Sequence, residues 1–263
     1  MREKSGVFGE ATDEYEAARS GYPDQLVLDI LDFARPVDRA LEIGAGTGKA
    51  TRSFVQHSVD LTCLEPDARM AAVLSRVTSE QSSITVVEST FEAWQSTKKF
   101  DLVYAAQSWH WVDSDRRLTL AHDALVEHGT LALFWNRYAP ISQELQTILL
   151  ETDQRHGVDP TIHTPHEHSA EFYSGDIVIA EGTPEHQLSE SPTFYDFTSR
   201  RYRRIKTFPS SLYLDLLTSI SAYRMLEASR RTEYLAEIEQ ILRAIGGFIT
   251  LSISSDLFLS KRS

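Results

Sequence analysis

The chain has 263 residues, 41% of them hydrophobic and 24% charged, with a formal net charge of −12 at pH 7. That composition supports a real core in one large domain, or a core with an insertion. So acidic a chain is a poor partner for nucleic acid, because phosphate binding needs a basic face, although Arg200, Arg201, Arg203, Arg204 and Lys206 cluster locally.

A single cysteine, Cys63, excludes an intrachain disulfide and reads as a buried filler in an apolar segment. The first twenty residues are charged and have no apolar core, so no secretory leader is expected. No apolar run approaches the length that spans a bilayer. The expected compartment is the cytoplasm.

In chain order, Pro23 can start a helix whose apolar face is Leu26, Val27, Ile30, Leu31 and Phe33. A short apolar run, Arg39 to Ile43, then meets a loop with Gly44, Gly46 and Gly48 at alternate positions, and Thr47 opens a helix expected to reach Val55. Alternating glycines let the main chain take positive φ and let a ligand approach the backbone. Strand, tight turn and helix in this order mark the nucleotide end of a doubly wound α/β sheet. A dinucleotide fingerprint would need its third glycine at position 49, which is Lys49. That substitution weighs against a nicotinamide-dependent oxidoreductase.

Leu61–Glu65 reads as a second buried strand ending in an acid, and Glu65 lies 21 residues after Gly44. That separation places a carboxylate within reach of the ribose hydroxyls of an adenosine ligand. Ile84–Val87 is a third strand and Phe100–Ala106 a fourth, which runs into Gln107-Ser108-Trp109-His110-Trp111. Large rings at the carboxyl end of a strand stand where open α/β sheets place their ligands. A helix is expected over Ser114–Val126, capped by Ser114, and a fifth strand over Thr130–Trp135, with Asn136, Arg137 and Tyr138 at its end. Five buried strands alternating with helices imply a parallel sheet with right-handed crossovers.

Beyond Ile141 a helix is expected to about residue 155, followed by His156, His163, His166, Glu167 and His168 in a stretch containing prolines. These histidines have no apolar element to fix a ligand geometry, so the stretch reads as a surface loop and no metal is assigned. Tyr195–Thr207 reads as a strand, 209–226 and 230–245 as helices, and Phe248–Ile253 as a last strand returning to the sheet edge.

With Glu42 two residues before Gly44, the glycine loop resembles motif I of the class I S-adenosylmethionine-dependent methyltransferases, E/D-x-G-x-G-x-G. Phe100-Asp101-Leu102-Val103 matches a further motif of that family. The leader Phe8, Tyr15, Arg19, Tyr22, Pro23 and the run Ala105 to Trp111 are similar to a small-molecule subgroup that includes trans-aconitate methyltransferase. The resemblance implies a Rossmann-like, doubly wound, seven-stranded and mostly parallel sheet with a C-terminal helical cap inserted after strand five. It divides the chain into a lid and helix over 1–34, a cofactor core over 35–138, a cap over 139–246 and a last strand over 247–260.

The cofactor implied is S-adenosylmethionine, leaving as S-adenosylhomocysteine. The cofactor positions implied are Glu42, Gly44, Ala45, Gly46, Thr47, Gly48 and Glu65, with Pro66 and Met70 against adenine and Thr90 and Phe91 at its polar edge. Threonine replaces the family's usual aspartate at position 90. By the same resemblance Arg19 pairs with the methionine carboxylate, Tyr15 covers the sulfonium end, and Gln107 borders the methionine moiety. The acceptor is expected to be a small organic molecule lined by Trp109, His110, Trp111, Trp135, Tyr138 and Tyr223, with Arg224 anchoring an acidic group. His110 is the first candidate base, should the acceptor need one. A monomer or homodimer is expected. The alternatives are a non-catalytic cofactor-binding module and, less favoured, the NAD(P)-dependent oxidoreductase.

Overall fold

The computed structural model of the chain describes residues 19–159, 162, 164–166 and 177–263. Phe8, Tyr15, His163, Glu167 and His168 lie outside these residues. Helix α1 (Asp24–Ala34) begins directly after Pro23 and buries Leu26, Val27, Ile30 and Ala34. Four strands follow: β1 (Arg39–Ile43), β2 (Asp60–Leu64), β3 (Ile84–Val87) and β4 (Phe100–Ala106). They pair in parallel in the order β3-β2-β1-β4, and β5 (Leu125–Pro140) adds parallel to β4. The crossovers carry α2 (Thr51–Phe54), α3 (Ala68–Val77) and α4 (Arg117–Ala124).

The remaining elements are α5 (Gln143–His156), α6 (Pro184–Ser189), β6 (Phe194–Pro209), α7 (Ser210–Thr218), α8 (Ser221–Arg224), α9 (Ala228–Ala244) and β7 (Phe248–Arg262). β7 enters between β5 and β6, antiparallel to both, and completes the sheet order β3-β2-β1-β4-β5-β7-β6. The expectation that the last strand returns to the edge is therefore corrected: β6 is the edge. The reason is in the side chains. Leu251, Ile253, Leu257 and Leu259 of β7 are all buried, whereas β6 carries the Arg200–Lys206 cluster, and charge is how natural sheets protect an open edge.

Other boundaries also move. The helix expected over Ser114–Val126 is α4 alone, because Leu125 and Val126 start β5. Ser114 does not cap it; Asp113 accepts from the backbone amides of Asp115 (3.0 Å) and Arg116 (3.2 Å). The helix expected from Thr47 to Val55 is only α2, followed by a single tight turn at Val55–His57.

The sheet buries both faces, as parallel sheets do. Ala40, Leu61, Leu102, Tyr104 and Phe134 pack with α1 and α2, and Phe54 stacks on Tyr104 with ring centres 4.3 Å apart. On the other face Leu41, Val103, Leu131, Leu133 and Phe258 pack around Trp109 and α4. A third core joins the long ends of β5, β6 and β7 to α5, α7 and α9 through Tyr138, Leu149, Phe208, Leu216, Ile238 and Leu251. No helix among the described residues is long and apolar enough to cross a membrane.

Inside that third core lies a polar knot. Asp153 Oδ2 faces His166 Nδ1 (2.9 Å) and accepts from Tyr223 (3.2 Å) and Thr164 (3.3 Å), while Oδ1 accepts from Tyr234 (2.7 Å). The other ring nitrogen of His166 meets the Tyr213 hydroxyl at 2.6 Å. His166 is fully buried, so the surface-loop expectation fails for this residue. Burial raises the pKa of all three tyrosines well above the usual value. They stay neutral and donate.

Asp153→Ala should therefore leave several buried donors without an acceptor and destabilise the chain by about 3 kcal/mol or more. Urea unfolding measures it, with Glu239→Ala as a surface control expected below about 1 kcal/mol. Equal shifts in the two variants would deny the knot a structural role.

Candidate cofactor and acceptor site

β1 brings Glu42 and Ile43 to the carboxyl end of the sheet, where the chain turns through Gly44 (φ 67°), Gly46 (59°) and Gly48 (90°). A Cβ on Gly44 would lie 2.6 Å from Ser108 Cβ, and one on Gly48 would lie 2.7 Å from Leu74 Cδ1. Nothing lies within 4 Å of the Cβ position of Gly46. Two glycines thus serve packing, and the middle one leaves the backbone open. The Ala45 amide donates to Leu64 O at 2.9 Å and pins the turn to β2, while Ser108 Oγ donates to Ile43 O.

Two carboxylates flank this turn. Glu42 is buried and its Oε2 accepts from Thr51 Oγ1 (2.6 Å) and Tyr104 Oη (2.9 Å). Burial pushes its pKa up to about 7 against those hydrogen bonds. Glu65, just past β2, accepts from the Gly46 amide (2.7 Å) with Oε2 and from the Asp67 amide (2.8 Å) with Oε1. Burial raises its pKa too, and the two amides oppose the rise. A small cleft opens on Glu42, Gly44, Ala45, Gly46, Thr47 and Lys49, with Tyr22 across from them.

The expected adenine positions sit on the far side of Glu65. Pro66 is exposed, and Met70 is buried on α3, its amide received by Asp67 Oδ1 at 3.3 Å. Thr90 is exposed and its Oγ1 accepts from the Ala93 amide at 3.2 Å. Phe91 is buried, with its ring 6.4 Å from that of Trp109. Gln107 ends β4 at φ 64°, a left-handed value uncommon outside glycine and enriched at functional sites. Its amide donates to Phe134 O (3.0 Å) and its side chain to Asn136 O (2.8 Å), tying β4 to β5.

On the acceptor side the structure corrects two residues. Trp109 is fully buried in the core, and its indole N–H finds no partner among the described residues. Tyr223 is fully buried on Asp153. Both hold the fold. Trp135 is half-buried and packs edge-on to Phe258, 5.9 Å between ring centres. Tyr138 is buried, but its hydroxyl accepts from the Ser20 amide at 3.0 Å. Arg224 is half-buried on α8.

His110 and Trp111 are exposed after β4, with ring centres 4.9 Å apart. Desolvation by the surrounding protein, with Arg117 and Arg19 nearby, pushes the His110 pKa down to about 4. Solvent reaching the ring moderates desolvation, whereas the two cations act in the same direction throughout. The ring is neutral at physiological pH and can accept a proton.

The sequence marked Arg19 among the residues that hold this arrangement, but not Asn136, Arg204 or Arg117 in these roles. Asn136 Nδ2 donates to Ser20 O (2.9 Å), and Arg204 donates to Gly21 O (2.8 Å). Arg19 places Nε on Ser219 Oγ (2.9 Å) and Nη2 on Ser219 O (3.1 Å). Buried Arg117 donates through Nε to Gln187 Oε1 at 2.9 Å.

Two measurements check this geometry. Gly44→Ala combines a left-handed φ with a contact below 3 Å, and should cost about 1–3 kcal/mol, read as a lowered unfolding midpoint. An unchanged midpoint would mean that the turn can relax. The His110 ring should titrate below the usual 6.5, with its proton resonances shifting at lower pH than those of a free imidazole. The sign follows: the unfolded chain takes this proton near pH 6.5 and the folded chain resists it, so His110 lowers stability as pH falls from about 6.5 towards 4. A ring titrating above pH 6 would contradict the arrangement of cations.

Residues 40–129 match the family described as "Methyltransferase domain". Uncharacterized methyltransferases of Mycobacterium tuberculosis and Mycobacterium bovis are 33% identical over 135 residues, covering 51% of this chain and 54% of theirs. A malonyl-[acyl-carrier protein] O-methyltransferase of Ilyobacter polytropus is 29% identical over 126 residues, 46% of this chain and 48% of its own. The chain thus spans about half the length of the curated relatives it matches. A candidate type II methyltransferase from Anaeromyxobacter dehalogenans superimposes with a TM-score of 0.63 at 17% identity, over 92% of this chain and 97% of the other. The sheet order and these matches agree on the fold: residues 40–129 are similar to a methyltransferase domain, in a chain with the fold of the class I S-adenosylmethionine-dependent methyltransferases.

Proposed function

We propose that the chain moves a methyl group from S-adenosylmethionine to a small organic acceptor. One observation carries the reading. The open backbone at Gly46 and the neighbouring Glu42 line one cleft, and Glu65 accepts from the Gly46 amide, an arrangement that suits a ligand bearing an ammonium group and vicinal hydroxyls. Glu65 would accept from the ribose hydroxyls and Glu42 would face the ammonium end. Ala45, Thr47 and the backbone of Gly44 to Gly48 would border the ligand. Pro66, Met70, Thr90 and Phe91 would enclose adenine. Gln107 would border the methionine moiety, Arg19 would hold the methionine carboxylate, and Tyr15 would cover the sulfonium.

The cofactor supplies a methyl group on a sulfonium whose thioether leaving group is already activated. The chain's own contribution is to hold the acceptor in line and exclude water, which is worth on the order of 7–11 kcal/mol. A carboxylate acceptor needs no base. A hydroxyl or amine would pass its proton to neutral His110, with Trp111 beside it. The Ilyobacter relative, by name an O-methyltransferase, favours an oxygen acceptor.

Calorimetric titration with S-adenosylhomocysteine, NADH and NADPH tests the reading: micromolar binding of the first alone is expected. Glu65→Ala should weaken adenosine binding at least tenfold, or about 1.4 kcal/mol. Preference for a nicotinamide nucleotide would replace the function, and unchanged adenosine affinity would remove Glu65 from the ribose.

A further inference from the structure

We propose that Ser219, in the cap, is a positioning residue for the cofactor's carboxylate end, acting through Arg19. This rests on the methyltransferase reading above. Ser219 closes the C-terminus of α7, where the last helical carbonyls have no intrahelical partner and the macrodipole favours a cation. The residue is 1% exposed, so what it contacts is fixed by its surroundings.

Its hydroxyl donates to Leu216 O at 2.6 Å. With its one proton placed there, the oxygen can only accept toward Arg19, and a guanidinium can only donate. The contacts agree: Arg19 Nε lies 2.9 Å from the hydroxyl and Nη2 lies 3.1 Å from the Ser219 carbonyl. Two adjacent donors gripped at two points fix the plane of the guanidinium, as paired contacts do for planar ions. Arg19 is also one of the two cations that depress the proton affinity of His110. One guanidinium therefore touches the cap and acts electrostatically on the turn after β4. The consequence is specific: a serine 200 residues away in sequence sets how well Arg19 meets a carboxylate.

The test is calorimetric, on the full chain, with S-adenosylhomocysteine and adenosine as probes. Ser219→Ala keeps the carbonyl contact and loses the hydroxyl. It should weaken S-adenosylhomocysteine roughly fivefold and leave adenosine unchanged. Ser219→Thr keeps the hydroxyl and should restore the affinity. In an Arg19→Ala background, Ser219→Ala should add nothing, because the two act as one unit.

Equal losses for both probes, no loss for either, or additive losses in the double variant would overturn the proposal. Should the alanine variant fail to fold, Arg19→Lys reads the same grip. An ammonium cannot reproduce the two-point contact and should weaken S-adenosylhomocysteine alone; unchanged affinity would overturn it. An unmodified chain that binds no S-adenosylhomocysteine overturns the methyltransferase reading itself. Normal binding with a silent Ser219→Ala overturns only the role of Ser219.

Discussion

Two carboxylates, Glu42 and Glu65, are buried at the ends of neighbouring parallel strands, where the sheet has already spent its own backbone donors. A buried carboxylate without donors costs several kcal/mol, so the surrounding chain must supply them. It does so with the pieces that make the site. Thr51, the first residue of α2, and Tyr104 of β4 converge on Glu42. The Gly46 amide and the amide that begins the next crossover converge on Glu65. The glycine turn is thus held by buried acids on both sides, and its shape depends on small neighbours. Gly44 needs its missing Cβ because Ser108 closes against it, and Gly48 because Leu74 does.

The second half of the sheet serves a different purpose. β5 and β7 run well past the ends of the parallel strands, and β6 runs alongside β7. The extension carries the third core, with α5, α7 and α9 over it. It also offers Asn136, Tyr138 and Arg204 to the segment Ser20–Gly21. The segment before α1 is therefore bound to the antiparallel extension and, through Arg19, to α7. Core, extension and cap meet at the segment Arg19–Gly21, which the proposed function sets at the methionine end of the cofactor.

Most of the fold could be read from the sequence because its signals are local. The strand–glycine–helix run, the 21 residues from Gly44 to Glu65 and the apolar strands each express one crossover of a parallel sheet. The site was legible where a backbone requirement leaves a residue type behind, as at Gly44, Gly46 and Gly48. It was illegible where tertiary burial decides. Trp109 and Tyr223 read as pocket aromatics at a strand end and in the cap, yet each is consumed by packing, and an aromatic ring carries no local mark of that difference. His166 looked like part of an unanchored loop because Asp153, Tyr213 and Tyr223 reach it from three separate elements. β7 was placed at the edge because its apolar pattern marks a strand but not its partners, and the fifteen-residue strand pairs on both sides.

The charge pattern then gives the site its direction. A chain with a net charge of −12 gathers Arg19 and Arg117 around one histidine, and Arg117 is held there by Gln187 and the Trp109 carbonyl. In the proposed reaction a neutral His110 would set no positive charge against a sulfonium, where like charges at close range repel, and would keep a lone pair for an acceptor that must lose a proton. Trp111 lies beside that ring, 4.9 Å between centres, and buried Trp109 anchors the turn in the core.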